Sequence, residues 1–126
     1  MDKLITQQTI LVADDDPISL DIVSMILNQS GYTVIIAQDG GEAVEICHKQ
    51  NPDLLVTDYE MPVLNGIEVS RQTPPDIPVI LMSSKLPDND RDDANIVAYI
   101  GKGNAEHLLS VVRQALPLPI PPASHL

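Results

Sequence analysis

Short apolar runs alternate with segments of helical periodicity along nearly the whole chain, and this alternation restricts the possible folds more than any other feature. Five runs rich in Ile, Leu and Val are predicted as strands, because they are too short for helices. They cover residues 9–14, 32–37, 53–58, 77–82 and 96–100. Strand–helix alternation with short connections favours right-handed crossovers and a parallel sheet with helices on both faces. We therefore predict a doubly wound α/β domain with a five-stranded parallel sheet.

Capping residues mark the starts of the first two predicted helices. The helix at 17–30 follows Asp16, whose carboxylate can cap it, and begins with a proline. Its apolar residues recur at helical spacing and are Ile18, Ile22, Met25, Ile26 and Leu27. Asp39 and Glu42 fit a capping box ahead of the second helix, which ends near residues 51–52.

Two further helices complete the predicted pattern. One is short, at about 67–72, and the other covers 105–116 with Asn104 as its cap. The last helix is expected to direct four apolar residues inward, namely Leu108, Leu109, Val112 and Leu116. Residues 85–95 are polar and contain Pro87, so we predict a loop with at most one helical turn there. The helix between the fourth and fifth strands is thus predicted to be short or missing.

The chain of 126 residues is long enough for one domain with a single core. We place that domain at 9–116, between an N-terminal extension at 1–8 and a Pro-rich tail at 117–126. The apolar runs are too short to span a membrane, and the first eight residues lack the apolar region of a signal peptide. We expect a cytoplasmic protein that does not enter the membrane. The single cysteine, Cys47, has no partner for an internal disulfide and is expected to pack in a helix.

The net charge of −11 restricts the possible partners. An acidic domain repels phosphate backbones, and a chain with three Tyr and no Phe or Trp lacks stacking platforms for bases. Direct binding of nucleic acid is therefore not expected. Proteins and divalent cations are the expected partners.

Polar residues stand at the carboxyl ends of four predicted strands. These ends share one edge of an open parallel sheet, which is where such folds bind ligands. The residues are Asp14, Asp15 and Asp16 after the first strand, Asp58 after the third, Ser83 and Ser84 after the fourth, and Lys102 after the fifth. Each is weak evidence alone, since acids commonly cap helices and lysines are commonly solvated. Their joint placement at one edge indicates a site.

The residue types in this set indicate phosphoryl chemistry. Clustered carboxylates repel one another and need protons or a cation, and Mg²⁺ or Mn²⁺ accepts such oxygen ligands. A bound ion retains positions for phosphoryl oxygens, and a lysine with a hydroxyl donor completes the surroundings of a tetrahedral anion. A carboxylate nucleophile among these groups is suited to forming an aspartyl-phosphate.

Two motifs, ILVADDDP at 10–17 and DLLVTDYEMPVLNG at 53–66, together with the later lysine, resemble the receiver domains of response regulators. The resemblance runs from about residue 9 to 116. It implies the strand order 2-1-3-4-5 of flavodoxin-like folds. It also implies that Asp58 is the phosphoacceptor and a metal ligand. Asp14 and Asp15 match the acid pair, and Glu60 matches the residue whose backbone carbonyl binds the ion.

The resemblance implies further roles on the fourth and fifth strands. Ser83 matches the hydroxyl residue that binds the phosphoryl group, and Lys102 matches the lysine that pairs with it. Tyr99 matches the aromatic residue that changes rotamer on phosphorylation. Asp15 and Asp16 are an alternative acid pair, but Pro17 at the first helical position makes Asp16 the helix cap.

The sequence also departs from the family pattern. Gly103 replaces the proline that usually follows the lysine, so the preceding peptide bond is expected to be trans. Residues 66–78 and 85–95 form shorter segments than usual, which leaves the usual output face altered. Glu60 and Lys85 each lie two residues beyond a site residue, and we hypothesise that they pair at the site mouth and hinder water.

The combined prediction is a phosphoryl-accepting receiver of a two-component phosphorelay. Asp58 takes the phosphoryl group from a histidine kinase, a histidine phosphotransfer protein or a small phosphodonor, and the change alters protein–protein interactions. The chain is then not an enzyme beyond its own phosphorylation and dephosphorylation. The alternatives are a degenerate receiver that acts only as an interaction module and a Mg²⁺-dependent phosphohydrolase.

Overall fold

The computed structural model describes residues 8–84 and 95–117. Its centre is a five-stranded sheet in which all paired strands are parallel, in the order β2-β1-β3-β4-β5. The strands are β1 (Thr9–Ala13), β2 (Thr33–Ala37), β3 (Leu54–Asp58), β4 (Val79–Ser83) and β5 (Ile96–Gly101). The predicted sheet and its strand order are confirmed.

Four helices are present in the described ranges. They are α1 (Pro17–Gln29), α2 (Gly40–Gln50), α3 (Gly66–Gln72) and α4 (Ala105–Ala115). The predicted loop between β4 and β5 lies outside the described residues except for its last residue, Asn95. The N-terminal extension and the Pro-rich tail also lie outside them, apart from Gln8 and Pro117. No helix in 8–84 or 95–117 is long and apolar enough to span a membrane.

The two faces of the sheet carry separate apolar clusters, as the alternation of side chains along each strand requires. One cluster joins Ile10, Val56 and Met82 to buried residues of α1 and α4. The other joins Leu11 and Leu55 to buried residues of α2 and α3. The central strands are therefore buried on both sides, which explains why their sequences are continuous aliphatic runs.

Of the five apolar residues whose spacing indicated the first helix, only Leu27 lies on the buried face of α1. Leu20, Val23 and Leu27 are buried, whereas the side chains of three predicted stripe residues are largely exposed. These are Ile18 at 69%, Ile22 at 52% and Met25 at 56% relative exposure. Because a helix advances by 3.6 residues per turn, these two stripes lie on opposite sides of α1. Only one of the two stripes packs against the sheet.

Helix capping agrees with the sequence in most details. The Asp16 carboxylate accepts a hydrogen bond from the Ile18 amide at 3.1 Å, which confirms it as the cap of α1. Asn104 caps α4 in the predicted way. The capping box predicted for Asp39 is incomplete, because Glu42 accepts from the Gln38 amide instead of the Asp39 amide. The complete box lies at α3, between Asn65 and Glu68.

Candidate functional site

Asp58 is the last residue of β3, and its side chain is almost completely buried at the carboxyl edge of the sheet. The next residue is held in place because the Tyr59 amide donates to the Met82 carbonyl of β4 at 2.7 Å. Gly66 closes the following loop against β3. A Cβ at Gly66 would lie 2.6 Å from the Asp58 carbonyl oxygen, so this close approach requires glycine.

Asp14 and Asp15 meet Asp58 across the β1–β3 pair. One carboxylate oxygen from each of the three residues lies within 4.8 Å of the others, a spacing that suits a single ion. Asp14 is fully buried, and its Oδ1 accepts from the Asp16 amide at 3.0 Å. Asp15 is exposed at the open side of the cluster. Since Asp16 serves as the helix cap, the acid pair beside Asp58 is Asp14 with Asp15.

Lys102 reaches this cluster from the end of β5. Its Nζ lies 3.1 Å from Asp14 Oδ2 and 3.3 Å from Asp58 Oδ2. Its backbone amide donates to the Ser83 carbonyl at 2.9 Å, which ties the lysine to the end of β4. The structure thus brings together the five residues on which the sequence prediction rests, namely Asp14, Asp15, Asp58, Ser83 and Lys102.

The electrostatics of the site follow from one lysine among three acids. Burial, followed by the charge of Asp14, raises the pKa of Asp58, although Lys102 and a hydrogen bond from the Glu60 amide oppose this shift. Burial lowers the pKa of Lys102, but the Asp14 hydrogen bond and the charges of Asp58 and Asp14 outweigh burial, so that pKa is raised. An excess of hard oxygen ligands over positive charge fits a divalent cation such as Mg²⁺.

The remaining predicted residues have more varied positions. Ser83 is buried at the end of β4, and Tyr99 lies half-buried on β5. Glu60 is exposed beside the site, so its side chain is available at the mouth. Lys85 lies outside the described residues, which leaves the predicted Glu60–Lys85 pair a prediction.

A groove that the sequence did not indicate opens beside the site. It has a volume of about 120 Å³ and lies between α1, the end of β4 and the start of α4. Its apolar lining comes from Ile22, Val23, Met82 and Leu108. The exposed α1 stripe of Ile18, Ile22 and Met25 continues from it. The sequence held a partial signal, because apolar residues lie on two sides of α1 and a helix with one buried face needs them on only one.

Comparison with known proteins decides the family. A family model described as the response regulator receiver domain matches residues 10–113. The chain belongs to this receiver family. Response regulator MprA of Mycobacterium ulcerans is 39% identical over 114 residues, which cover 85% of this chain and 49% of MprA. Protein PilH of Pseudomonas aeruginosa is 33% identical over 87 residues, which cover 65% of this chain and 72% of PilH. The receiver chain thus spans about half the length of MprA.

Solved structures of receivers match over most of the chain. The response regulator TrrA of Thermotoga maritima, in complex with Mg²⁺–BeF, is 30% identical with a TM-score of 0.80. The match covers 87% of this chain and all of TrrA (100%). The response regulator domain of Thermotoga maritima CheB is 29% identical with a TM-score of 0.77, over 90% of this chain and 99% of that domain. The fold and the acidic pocket are those of a receiver.

Proposed function

We propose that this receiver accepts a phosphoryl group on Asp58 within a two-component phosphorelay. The observation that carries the proposal is the placement of the Asp58 carboxylate. It lies at an open edge of the sheet, within ligand distance of Asp14 and Asp15, and 3.3 Å from the Lys102 ammonium. Burial among these groups favours attack by Asp58 over the many exposed acids of the chain, since no other described group of three acids converges in this way.

Asp14, Asp15 and Asp58, with the backbone carbonyl of Glu60, would hold Mg²⁺ or Mn²⁺. When bound, the cation neutralises phosphoryl oxygens and offsets the repulsion between the incoming group and the carboxylates. The TrrA structure, which holds Mg²⁺ with BeF, supports this assignment. The three carboxylates around a single lysine supply the negative charge that such an ion requires.

The chemical step is a displacement at phosphorus. One Asp58 oxygen forms the new bond while the bond from phosphorus to the donor breaks, and the bonding pair stays with the donor atom. The donor is a phosphohistidine of a kinase or phosphotransfer protein, or a small phosphodonor. Lys102 pairs with the phosphoryl oxygens that arrive, and the Ser83 hydroxyl donates to one of them. Both residues lie at the same edge as Asp58.

The phosphorylated state would then be read through β4 and β5. Movement of Ser83 toward the phosphoryl group shifts the balance between two arrangements of the adjacent strands, with Tyr99 changing rotamer. Output would pass to a protein partner through this surface. We assign the receiver domain to 9–116 and treat 1–8 and 117–126 as flanking segments.

We further propose that the phosphodonor protein binds over the exposed α1 stripe. The stripe has the helical spacing of a surface that binds an amphipathic partner helix, and it consists of Ile18, Ile22 and Met25. The adjoining groove extends to the end of β4, beside Asp58. The exposed carboxylates of Asp15 and Asp21 lie along the same helix start. A partner helix with an apolar stripe flanked by Lys or Arg therefore complements this surface.

The test is the intact mass after incubation with acetyl phosphate and Mg²⁺. We expect a single phosphoryl adduct on the wild-type chain and none on Asp58→Asn, which keeps the shape of the side chain but lacks the nucleophile. Asp76→Asn, at an exposed acid outside the pocket, serves as the matched control and should be modified like the wild type. An unmodified wild-type chain, under conditions that phosphorylate another receiver, would overturn the proposal.

Membership of the receiver family removes the support for a phosphohydrolase. The departures that would favour a degenerate interaction module are Gly103 after the lysine and the altered segment between β4 and β5. Against that alternative, Asp14, Asp15 and Asp58 converge on one another, and Lys102 contacts Asp14 and Asp58. The proposal therefore remains a phosphoryl-accepting receiver.

A further inference from the structure

The connection that carries Lys102 is short and fixed at both ends. β5 ends at Gly101, and α4 begins at Ala105 after its cap, Asn104. On the strand side, the Lys102 amide donates to the Ser83 carbonyl at 2.9 Å. On the helix side, Asn104 Oδ1 accepts from the His107 amide at 3.1 Å. Only Lys102 and Gly103 are left to turn the chain from the strand into the helix.

Gly103 makes this turn in the left-handed region, at a φ of +88°. Residues with a Cβ rarely adopt this conformation, because the Cβ approaches the following carbonyl oxygen. The requirement for glycine comes from the backbone and not from crowding, since a Cβ at Gly103 would meet nothing within 4 Å. Gly101, on the other side of Lys102, has equally open space without a left-handed φ.

A change of φ at Gly103 would displace one of its two neighbours. On the far side, α4 is anchored by the buried side chains of Leu108 and Val112 and by the Asn104 cap. On the near side, the lysine side chain is a flexible stem that keeps 23% of its surface exposed. The displacement therefore falls mainly on Lys102, and its contacts with Asp14 and Asp58 are lost first.

We propose that Gly103 is a positioning residue, whose left-handed turn holds the Lys102 ammonium between the carboxylates of Asp14 and Asp58. The inference rests on the proposed function for its consequence, since the lysine so placed is the one that would meet the phosphoryl group. The position of the lysine itself is measurable without any phosphorylation.

The test compares Gly103→Ala with Gly101→Ala in the unphosphorylated chain. Both variants add the same methyl group in open space beside the same lysine, but only Gly103→Ala opposes a left-handed φ. Brief acylation followed by mass spectrometry of peptides gives the modification rate of Lys102 relative to Lys49, an exposed lysine on α2. A lysine held between two carboxylates is protected from acylation, and a released lysine is not.

We expect the relative rate at Lys102 to rise about tenfold in Gly103→Ala and to stay at the wild-type value in Gly101→Ala. Gly103→Asn should fall between them, because Asn tolerates the left-handed region better than other residues with a Cβ. If Gly103→Ala does not fold, the acylation rate of Lys102 in Gly103→Asn tests the proposal by itself. Equal rates in the wild type and both Gly103 variants would overturn the proposal, and so would an equal rise in Gly101→Ala.

A second measurement separates this inference from the proposed function. With acetyl phosphate at saturation, we expect the maximal rate of adduct formation to fall in Gly103→Ala, in proportion to the rise in Lys102 acylation, while Gly103→Asn recovers part of it. If the wild type takes up no phosphoryl group, the proposed function fails while the acylation result still tests the position of Lys102. If the wild type is phosphorylated and Lys102 acylation does not respond to Gly103, the positioning role alone fails.

Discussion

Asp14 and Asp58 share one ammonium group, because Lys102 Nζ lies 3.1 Å from Asp14 Oδ2 and 3.3 Å from Asp58 Oδ2. One lysine cannot neutralise two buried carboxylates and the adjacent Asp15. The free receiver therefore carries an electrostatic cost in the same place where it would bind a cation and a phosphoryl group. The first prediction follows from this cost.

Asp58→Asn should make the folded protein more stable near neutral pH. Burial and the Asp14 charge raise the pKa of Asp58 above its ordinary value of 3.8, so the folded state binds this proton more tightly than the unfolded state. The free energy of unfolding then falls as pH rises from the unfolded pKa through the higher folded pKa. We expect a gain on the order of 1 kcal/mol for the variant at pH 7, as measured by urea unfolding without Mg²⁺.

The stability difference between Asp58→Asn and the wild type should shrink as pH falls toward 3.8. There, protonation removes the charge of Asp58 from the folded wild type, and the variant lacks that charge at every pH. Mg²⁺ should stabilise the wild type more than the variant, because the proposed ion site includes the Asp58 carboxylate and exists only in the folded state. Asp76→Asn provides a control for the loss of one negative charge at an exposed position. A stability difference that does not change between neutral and acidic pH would contradict the assigned cause.

Ile22→Asp should slow phosphoryl transfer from a protein donor without slowing transfer from acetyl phosphate. Ile22 is half exposed and belongs both to the α1 stripe and to the groove, so an acid there opposes docking of an apolar helix. Loss of one central contact of this kind typically costs about 1–3 kcal/mol, or roughly tenfold or more in affinity. Transfer kinetics with a phosphorylated kinase or phosphotransfer protein measure the effect.

Ile36→Asp is the control for this docking surface, since Ile36 is an exposed isoleucine on the edge strand β2 that belongs neither to the α1 stripe nor to the lining of the groove. It should behave like the wild type with both donors. If the two variants lowered protein-to-protein transfer equally, the α1 stripe would not be the docking surface.

Glu60→Ala and Lys85→Ala should each accelerate hydrolysis of the aspartyl-phosphate. Glu60 is exposed two residues beyond Asp58, and the hypothesis is that its pairing with Lys85 shields the phosphoryl group from water. An exposed pair contributes only about 0–1 kcal/mol, so the expected acceleration is up to about fivefold, with little change in stability. The decay of the phosphorylated mass with time gives the rate, and unchanged decay in both variants would refute the idea.

Val63→Asn should stabilise the protein. Val63 has a φ of +75°, and the Leu64 amide donates to the Pro62 carbonyl across it, which is the pattern of the rare and strained γ-turn. Val63 is also largely exposed, so asparagine gives up little buried surface while tolerating this φ better. We expect the free energy of unfolding to rise by about 1 kcal/mol.

Val97→Asn is the comparison for Val63→Asn, because Val97 is an exposed valine within β5, without a positive φ. Asparagine is a poor strand residue, so that variant should be neutral or less stable. A Val63→Asn protein no more stable than the wild type would show that the turn stores no relievable strain.

Much of this fold was predictable because parallel strands buried on both faces have a distinctive sequence. The strands of the structure begin and end within two residues of the predicted ones. The strand order followed from the family resemblance and not from the residue pattern itself. The meeting of Asp14, Asp58 and Lys102 was predictable for a geometric reason, since the carboxyl ends of parallel strands share one edge.

Other features depended on tertiary packing. Two apolar stripes on α1 satisfy the helical period equally well, and only contact with the sheet selects Leu20, Val23 and Leu27 for burial. Glu42 was predicted to complete a capping box, but it binds the Gln38 amide instead. In both cases two local arrangements are compatible with the sequence, and contacts with the surrounding structure determine which of them forms.

The sequence by itself determined that three acids, a hydroxyl residue and a lysine stand at one edge of a parallel sheet. Only the tertiary structure decided that Lys102 divides its charge between Asp14 and Asp58, and that Gly103 turns the chain through a left-handed φ to place it there. The physical reason is that the hydrophobic period fixes which residues end each strand. Distances of about 3 Å between charged groups depend on backbone dihedral angles. Most residue types allow several combinations of these angles, so the local sequence does not fix the distances.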